Sequence, residues 1–301
     1  MTEAELKALI KMGESETLTA ENRAQYKGEY IKTAMGTTHY ELKGEGEAVV
    51  LVHGYSTPYF IYDKVFEGLV NLGYKVLRYD LFGRGFSDRL SGKNNQDFFA
   101  KQLDEVTTAL LGDEKFVLIG TSMGGAITTT YIKNYAEKAR VKKLILLAPA
   151  GMDTFKAPFY MHLCSFPVLG DILFPLIGDK VLIGATQKEL YYCPQEEKDY
   201  YTRSFAEGCK YKGFLKSTLS SLRNTILKTD VSMLGYRAVA QMKLPMLVVW
   251  GTIDKTMPYY QHERLLETCP HAKLITFENS GHNFVFDEGE KTMEAIKDFI
   301  A

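Results

Sequence analysis

The chain has 301 residues, of which 46% are hydrophobic and 24% are charged, so it is long enough to bury a large core. Its 36 basic and 37 acidic residues are well mixed and leave a formal net charge of -1. No basic face is evident, and we therefore expect a globular protein without a nucleic-acid partner.

The N-terminal segment, residues 1–7, lacks the basic start and the apolar run of a signal peptide. We expect residues 1–25 to form a short amphipathic helix and a polar lead-in. The cysteines form no C-x-x-C pair and lie near no histidine at metal-ligand spacing; they are Cys164, Cys193, Cys209 and Cys269. This pattern predicts reduced thiols, a cytoplasmic location and no metal site.

Short apolar segments alternate with segments of helical periodicity along most of the chain. The predicted strands cover residues 30–34, 38–42, 48–52, 74–79, 116–119, 143–148, 244–250 and 273–277. The first two alternate in polarity and flank a Met35-Gly36-Thr37 turn, which predicts a hairpin. The others are separated by predicted helices, which indicates right-handed crossovers. The predicted fold is therefore α/β, a doubly wound, mostly parallel eight-stranded sheet covered on both faces.

The alternation of strands and helices breaks after residue 151. Residues 152–242 have no convincing buried strand and are rich in aromatic side chains. We predict that they form a helical cap, or lid, inserted between the two parts of the core, residues 1–151 and 243–301. The apolar run 157–170 is shorter than the roughly 20 residues that cross a bilayer. It is interpreted as a lid helix packed on the core or as an apolar acyl-binding wall, with transient contact to membrane surfaces.

Gly120, Ser122 and Gly124 form a G-x-S-x-G pattern between the strand 116–119 and a following helix. A strand that turns sharply into a helix brings the backbone so close to itself that a Cβ on either side would clash, which accounts for the glycines. The pattern predicts that Ser122 lies at the apex with its hydroxyl exposed. The positive end of the helix behind it favours an oxyanion.

A serine nucleophile needs a base, and the base should lie at the carboxyl edge of the parallel sheet. His282 directly follows the last predicted strand and is the candidate. Asp254 follows the preceding strand and is predicted to orient the imidazole. Asp153 is its competitor, because it also follows a buried strand. We prefer Asp254, since the chain order of serine, acid and histidine is then the one expected for this architecture.

His53-Gly54-Tyr55 directly follows the central strand 48–52. A glycine there lets the backbone bend so that the next N–H points toward the nucleophile. The backbone N–H groups of Tyr55 and Met123 are the predicted oxyanion hole, and His53 is predicted to order the loop. The loop from Asp80 to Asp88, with its two glycines and its carboxylates, is predicted to be structural.

These four motifs occur in the order typical of the α/β-hydrolase superfamily, which the chain resembles from about residue 27 to its C-terminus. The resemblance implies a hydrolase that uses no metal or organic cofactor. A serine at residue 122 differs from the dehalogenases and epoxide hydrolases, which have aspartate there. The chain is similar to the branch of serine carboxylesterases and monoacylglycerol lipases, which implies a small apolar ester as substrate and an acyl-enzyme intermediate.

Two alternatives remain open. Carbon–carbon hydrolases of ring-cleavage products also resemble this chain, but they usually have Asn before the serine, a glycine-rich loop after His-Gly and Trp after the histidine. This chain has Thr121, Tyr55-Ser56-Thr57 and Asn283 at those places. The second alternative is a small-molecule receptor built on the same scaffold.

Overall fold

The structure, a computed structural model, describes residues 13–138, 140–153 and 159–301. The strands are β1 (Glu29–Lys32), β2 (Thr37–Lys43), β3 (Ala48–Val52), β4 (Lys75–Tyr79), β5 (Phe116–Thr121), β6 (Val141–Leu147), β7 (Met246–Gly251) and β8 (Lys273–Phe277). Within the described residues they form one eight-stranded sheet in the order β1-β2-β4-β3-β5-β6-β7-β8. β1, β2 and β4 pair antiparallel, whereas β4-β3-β5-β6-β7-β8 is parallel. The predicted doubly wound, mostly parallel sheet is confirmed.

The helices are α1 (Ala20–Arg23), α2 (Asp63–Asn71), α3 (Gln96–Leu111), α4 (Met123–Asn134), α5 (Phe159–Ser165), α6 (Leu169–Gln187), α7 (Gln195–Cys209), α8 (Phe214–Ser221), α9 (Thr229–Met242), α10 (Gln261–Thr268), α11 (Phe284–Asp287) and α12 (Gly289–Ile300). None of the described helices combines the length and apolarity needed to cross a bilayer. Of the predicted N-terminal helix, residues 1–12 lie outside the described residues, and α1 has only four residues.

The core follows from the continuous apolar character of the central strands. Every residue of β3, β5 and β7 is buried, as expected for parallel strands covered on both faces. β6 begins two residues before its predicted start, because Val141 pairs with Phe116 across a shift in strand register. The C-terminal helix is broken at Glu288, whose φ of -123° is not helical, so α11 precedes α12.

Helices α5–α9 lie in the chain between β6 and β7. Among the contacts that join them to the core, the Tyr236 hydroxyl in α9 donates to the Ala150 carbonyl at 2.7 Å, and the Tyr55 hydroxyl donates to the Thr218 carbonyl in α8 at 3.0 Å. The described part of residues 152–242 is thus helical. The division of the chain into a core and a cap stays a prediction.

Candidate active site

Ser122 occupies the one-residue turn between β5 and α4. Its φ of 52° and ψ of -121° lie outside the regions that non-glycine residues usually adopt. A Cβ on Gly124 would lie 2.2 Å from the Val52 carbonyl oxygen, and one on Gly120 would lie 2.6 Å from the Gly124 carbonyl oxygen. Both glycines of the motif are therefore sterically required, as the sequence predicts. The Ser122 side chain is held at the carboxyl end of β5.

His282 and Asp254 are brought together by the loops that follow β8 and β7. His282 Nδ1 lies 2.8 Å from Asp254 Oδ2. Asp254 Oδ1 accepts from the backbone N–H groups of Thr256 at 2.9 Å and Met257 at 2.7 Å, which fixes the carboxylate. Because a carboxylate only accepts, the proton lies on Nδ1 and leaves Nε2 free to act as a base.

The electrostatic environment of His282 combines opposing effects. Burial lowers the pKa of its imidazole, but the charge of Asp254, the hydrogen bond to it and the charge of Glu189 together outweigh this effect. The net direction is a pKa raised above 6.5. The site therefore favours the imidazolium that forms when a histidine takes a proton from a nucleophile.

Ser122 lies at the same edge of the sheet, since β5, β7 and β8 are parallel and all three loops follow their carboxyl ends. Among the described residues, no hydrogen bond joins Ser122 Oγ to the His282 ring. In unliganded enzymes such contacts are often long and shorten only in the reacting complex. The structure thus pairs the predicted acid with the predicted base and leaves the serine without a direct bond to either.

The loop after β3 carries the first predicted oxyanion donor. A Cβ on Gly54 would lie 3.2 Å from Ser122 Cβ, so this loop approaches the serine closely. Neither the Tyr55 nor the Met123 backbone N–H donates to another described residue. Both remain available to an anionic oxygen, and Met123 begins α4.

His53 orders this loop, in agreement with its predicted role. Its Nε2 accepts from the Leu81 N–H at 2.9 Å, and its Nδ1 donates to the Gly54 carbonyl at 3.0 Å. Burial lowers the pKa of His53 to about 4, so the imidazole is neutral at pH 7. The neutral ring can therefore accept one hydrogen bond and donate the other.

Arg84, from the loop predicted to be structural, is fully buried beside the loop that follows β3. Its Nε donates to the Tyr55 carbonyl at 2.8 Å, while Nη1 and Nη2 donate to the hydroxyls of Ser217 and Ser221 in α8 at 2.9 Å. Burial without a carboxylate partner among the described residues lowers its pKa to about 10. Arg84 thus joins the Tyr55 carbonyl to α8.

The competing acid, Asp153, lies elsewhere. Its carboxylate accepts from the Tyr260 hydroxyl at 3.3 Å and lies 3.7 Å from Arg264.

A cavity of about 430 Å³ opens between the antiparallel strands and α7, and neither Ser122 nor His282 lines it. No group of three or more His, Cys, Asp or Glu side chains in the described part of the chain could hold a metal ion.

Glu189, in the turn after α6, contacts the candidate site but was not identified from the sequence. Its Oε2 accepts from the backbone N–H of His282 at 3.1 Å. The residue belongs to no motif, and the helical periodicity around it does not distinguish it from other acidic residues of the insertion. Only the three-dimensional contact reveals it.

A sequence profile described as the alpha/beta hydrolase family matches residues 49–295. The AB hydrolase superfamily protein YisY of Bacillus subtilis is 29% identical over 277 residues, which cover 90% of this chain and 98% of that protein. A 2-hydroxy-6-oxononadienedioate/2-hydroxy-6-oxononatrienedioate hydrolase of Comamonas testosteroni is 26% identical over 271 residues, covering 87% and 91%. An esterase from Exiguobacterium antarcticum has a similar structure, with a TM-score of 0.73, 23% identity and coverage of 91% and 99%.

Proposed function

The chain belongs to the alpha/beta hydrolase family, and on that premise we propose that it is a serine hydrolase that cleaves a carboxylic ester with an apolar acyl or alkyl group. One observation carries the proposal. The Nδ1 atom of His282 is bonded to Asp254 at the sheet edge where Ser122 occupies a strained turn before α4. A hydroxyl nucleophile, a base and an orienting acid are the groups that acyl transfer requires.

In the proposed mechanism, Ser122 Oγ attacks the ester carbonyl carbon while His282 Nε2 takes the hydroxyl proton. Asp254 keeps the ring oriented and stabilises the imidazolium. The carbonyl oxygen becomes an oxyanion that accepts from the N–H groups of Tyr55 and Met123. The alcohol then leaves with the proton from His282, and an acyl group remains on Ser122. Water, deprotonated by His282, attacks this acyl-enzyme, releases the carboxylic acid and restores the serine.

We propose that residues 152–242 form a cap over this site, without a metal or an organic cofactor in the reaction. The contacts of Arg84 and Tyr55 with α8 support a cap that adjoins the loop after β3, which carries the proposed oxyanion donor Tyr55.

Leu169, Ile172 and Leu176 recur along α6 at helical spacing and are 41%, 60% and 65% exposed. This face supports transient contact with a membrane surface. Four buried free thiols are consistent with a cytoplasmic location.

The alternative activity is carbon–carbon bond hydrolysis, favoured by the relative from Comamonas testosteroni. Rates on p-nitrophenyl esters of rising chain length should be compared with the rate on a vinylogous diketone. We expect ester hydrolysis that favours apolar acyl groups and that is lost in Ser122→Ala. Turnover of the diketone alone would support the carbon–carbon alternative. If the wild-type protein and Ser122→Ala both bind esters and neither hydrolyses them, the result would support a small-molecule receptor.

A further inference from the structure

Glu189 is a buried carboxylate to which the proposed mechanism assigns no role. It is 5% exposed, and among the described residues it has no ion-pair partner within 4.0 Å. The one described hydrogen bond of its side chain is to the His282 backbone N–H, at 3.1 Å. Burying a carboxylate without a cation costs free energy. A specific electrostatic role at His282 would account for its position.

The segment that carries Glu189 is fixed against the His282 loop and against α11, the helix that follows this loop. On one side, a Cβ on Gly281 would lie 2.7 Å from Glu189 Oε2 and 2.4 Å from the Tyr191 ring, so the glycine leaves the room that both side chains occupy. On the other side, the Asp287 carboxylate accepts from the backbone N–H groups of Tyr191 at 2.8 Å and Cys193 at 2.7 Å. The Glu189 carboxylate is therefore held in place beside His282.

Three charged groups act on the His282 ring or on Glu189. Asp254 bonds the ring directly, Glu189 approaches from the insertion, and Lys255 is exposed on the loop after β7. Burial raises the pKa of the Glu189 carboxyl, and the negative charge of Asp254 adds to this effect. The His282 N–H, the charge of the His282 ring and Lys255 favour the charged carboxylate, but the net direction is a raised pKa. When Ser122 transfers its proton, the imidazolium therefore lies near two carboxylates rather than one.

We infer that Glu189 is a positioning residue, through which the helical insertion supplies a second negative charge that stabilises the His282 imidazolium. This inference rests on the proposed serine-hydrolase function. It makes the strength of the base depend on docking of the insertion, since the charge comes from the turn after α6 and not from the core.

The test is an NMR titration of the His282 ring, assigned among the six histidines by a His282→Gln variant. Glu189→Gln keeps the acceptor for the His282 N–H and removes the charge. We expect its His282 pKa to fall by about one unit, because an opposite charge within a few ångströms shifts a pKa by roughly that much or more. The apparent pKa of the acidic limb in the pH profile of kcat/KM, measured with an apolar p-nitrophenyl ester, should fall by the same amount, and KM should stay unchanged.

Glu263→Gln is the matched control, because Glu263 is an exposed carboxylate in α10 and its loss should leave the His282 pKa unchanged. If Glu189→Gln does not fold, Glu189→Met offers a neutral side chain of similar length that suits a buried position. A His282 pKa equal to that of the wild type in the folded variant would overturn the inference. The titration needs no turnover, so failure of Ser122 to react with a fluorophosphonate would count against the proposed function and not against the effect of Glu189.

Discussion

His282 Nδ1 lies 2.8 Å from Asp254 Oδ2. The other oxygen of this carboxylate, Oδ1, accepts from the backbone N–H groups of Thr256 and Met257. The two residues are 28 positions apart in sequence. They meet because β7 and β8 are adjacent, parallel strands whose following loops emerge at the same edge of the sheet. A hydrogen bond between Ile253 and Ser280, at 3.1 Å, joins the loops directly.

Asp254→Asn should lower kcat by about 10⁴-fold, the loss known for the same change in a serine protease, because an amide neither holds the productive tautomer nor stabilises the imidazolium. Asp153→Asn provides the control, since the Asp153 carboxylate accepts from the hydroxyl of the exposed Tyr260 and lies 3.7 Å from the half-exposed Arg264. We expect that variant to keep near wild-type kcat with an unchanged circular dichroism spectrum. Equal losses in both variants would argue against the assignment of Asp254.

The activity of the wild-type protein should fall as the pH falls through the His282 pKa, because only the unprotonated imidazole takes the Ser122 proton. Burial lowers that pKa, but the charge of Asp254, the hydrogen bond to it and the charge of Glu189 together raise it by more, so the apparent pKa in the kcat/KM profile should lie above 6.5. The measurement is kcat/KM for an ester with a pH-insensitive chromophore between pH 5 and 9, a range of about four units around the ordinary histidine pKa. An acidic limb well below 6.5 would contradict this balance of effects.

Arg84→Lys should reduce kcat by about 10²-fold, the typical result of losing one oxyanion donor, while substrate binding changes little. A lysine lacks the planar fork that bonds the Tyr55 carbonyl and two serine hydroxyls at once. Arg264→Lys is the matched control, because Arg264 is half exposed and its ion pair at 3.7 Å contributes little. An Arg84→Lys variant with unchanged kcat would show that the position of the Tyr55 N–H does not depend on the bond between the guanidinium and the Tyr55 carbonyl.

Gly124→Ala should lower the free energy of unfolding by about 3 kcal/mol, because the new Cβ would lie 2.2 Å from the Val52 carbonyl oxygen and the backbone would have to move. Gly184→Ala makes the same change in α6, where nothing lies within 4 Å of the new Cβ. There we expect a gain of about 0.5–1 kcal/mol from helix propensity. Urea unfolding of both variants measures the difference, and similar effects at the two positions would contradict the steric account.

The sheet was predictable because its central strands are continuously apolar and its crossovers follow a fixed handedness. The same logic placed Asp254 and His282 at one edge, and their contact agrees with that placement, although their catalytic roles stay predictions. Glu189 was not predictable. It lies in a helical segment without a motif, and its contact with His282 depends on how the helices between β6 and β7 pack. The link from Arg84 to Ser217 and Ser221 escaped prediction for the same reason.

The central claim is that Ser122 is a nucleophile activated by His282. The most direct measurement is peptide mass spectrometry after reaction with a fluorophosphonate probe, with Ser122→Ala as the control. We predict one covalent adduct, on Ser122, whose formation slows as His282 becomes protonated. An unmodified Ser122, or equal labelling of Ser122→Ala, would contradict the account.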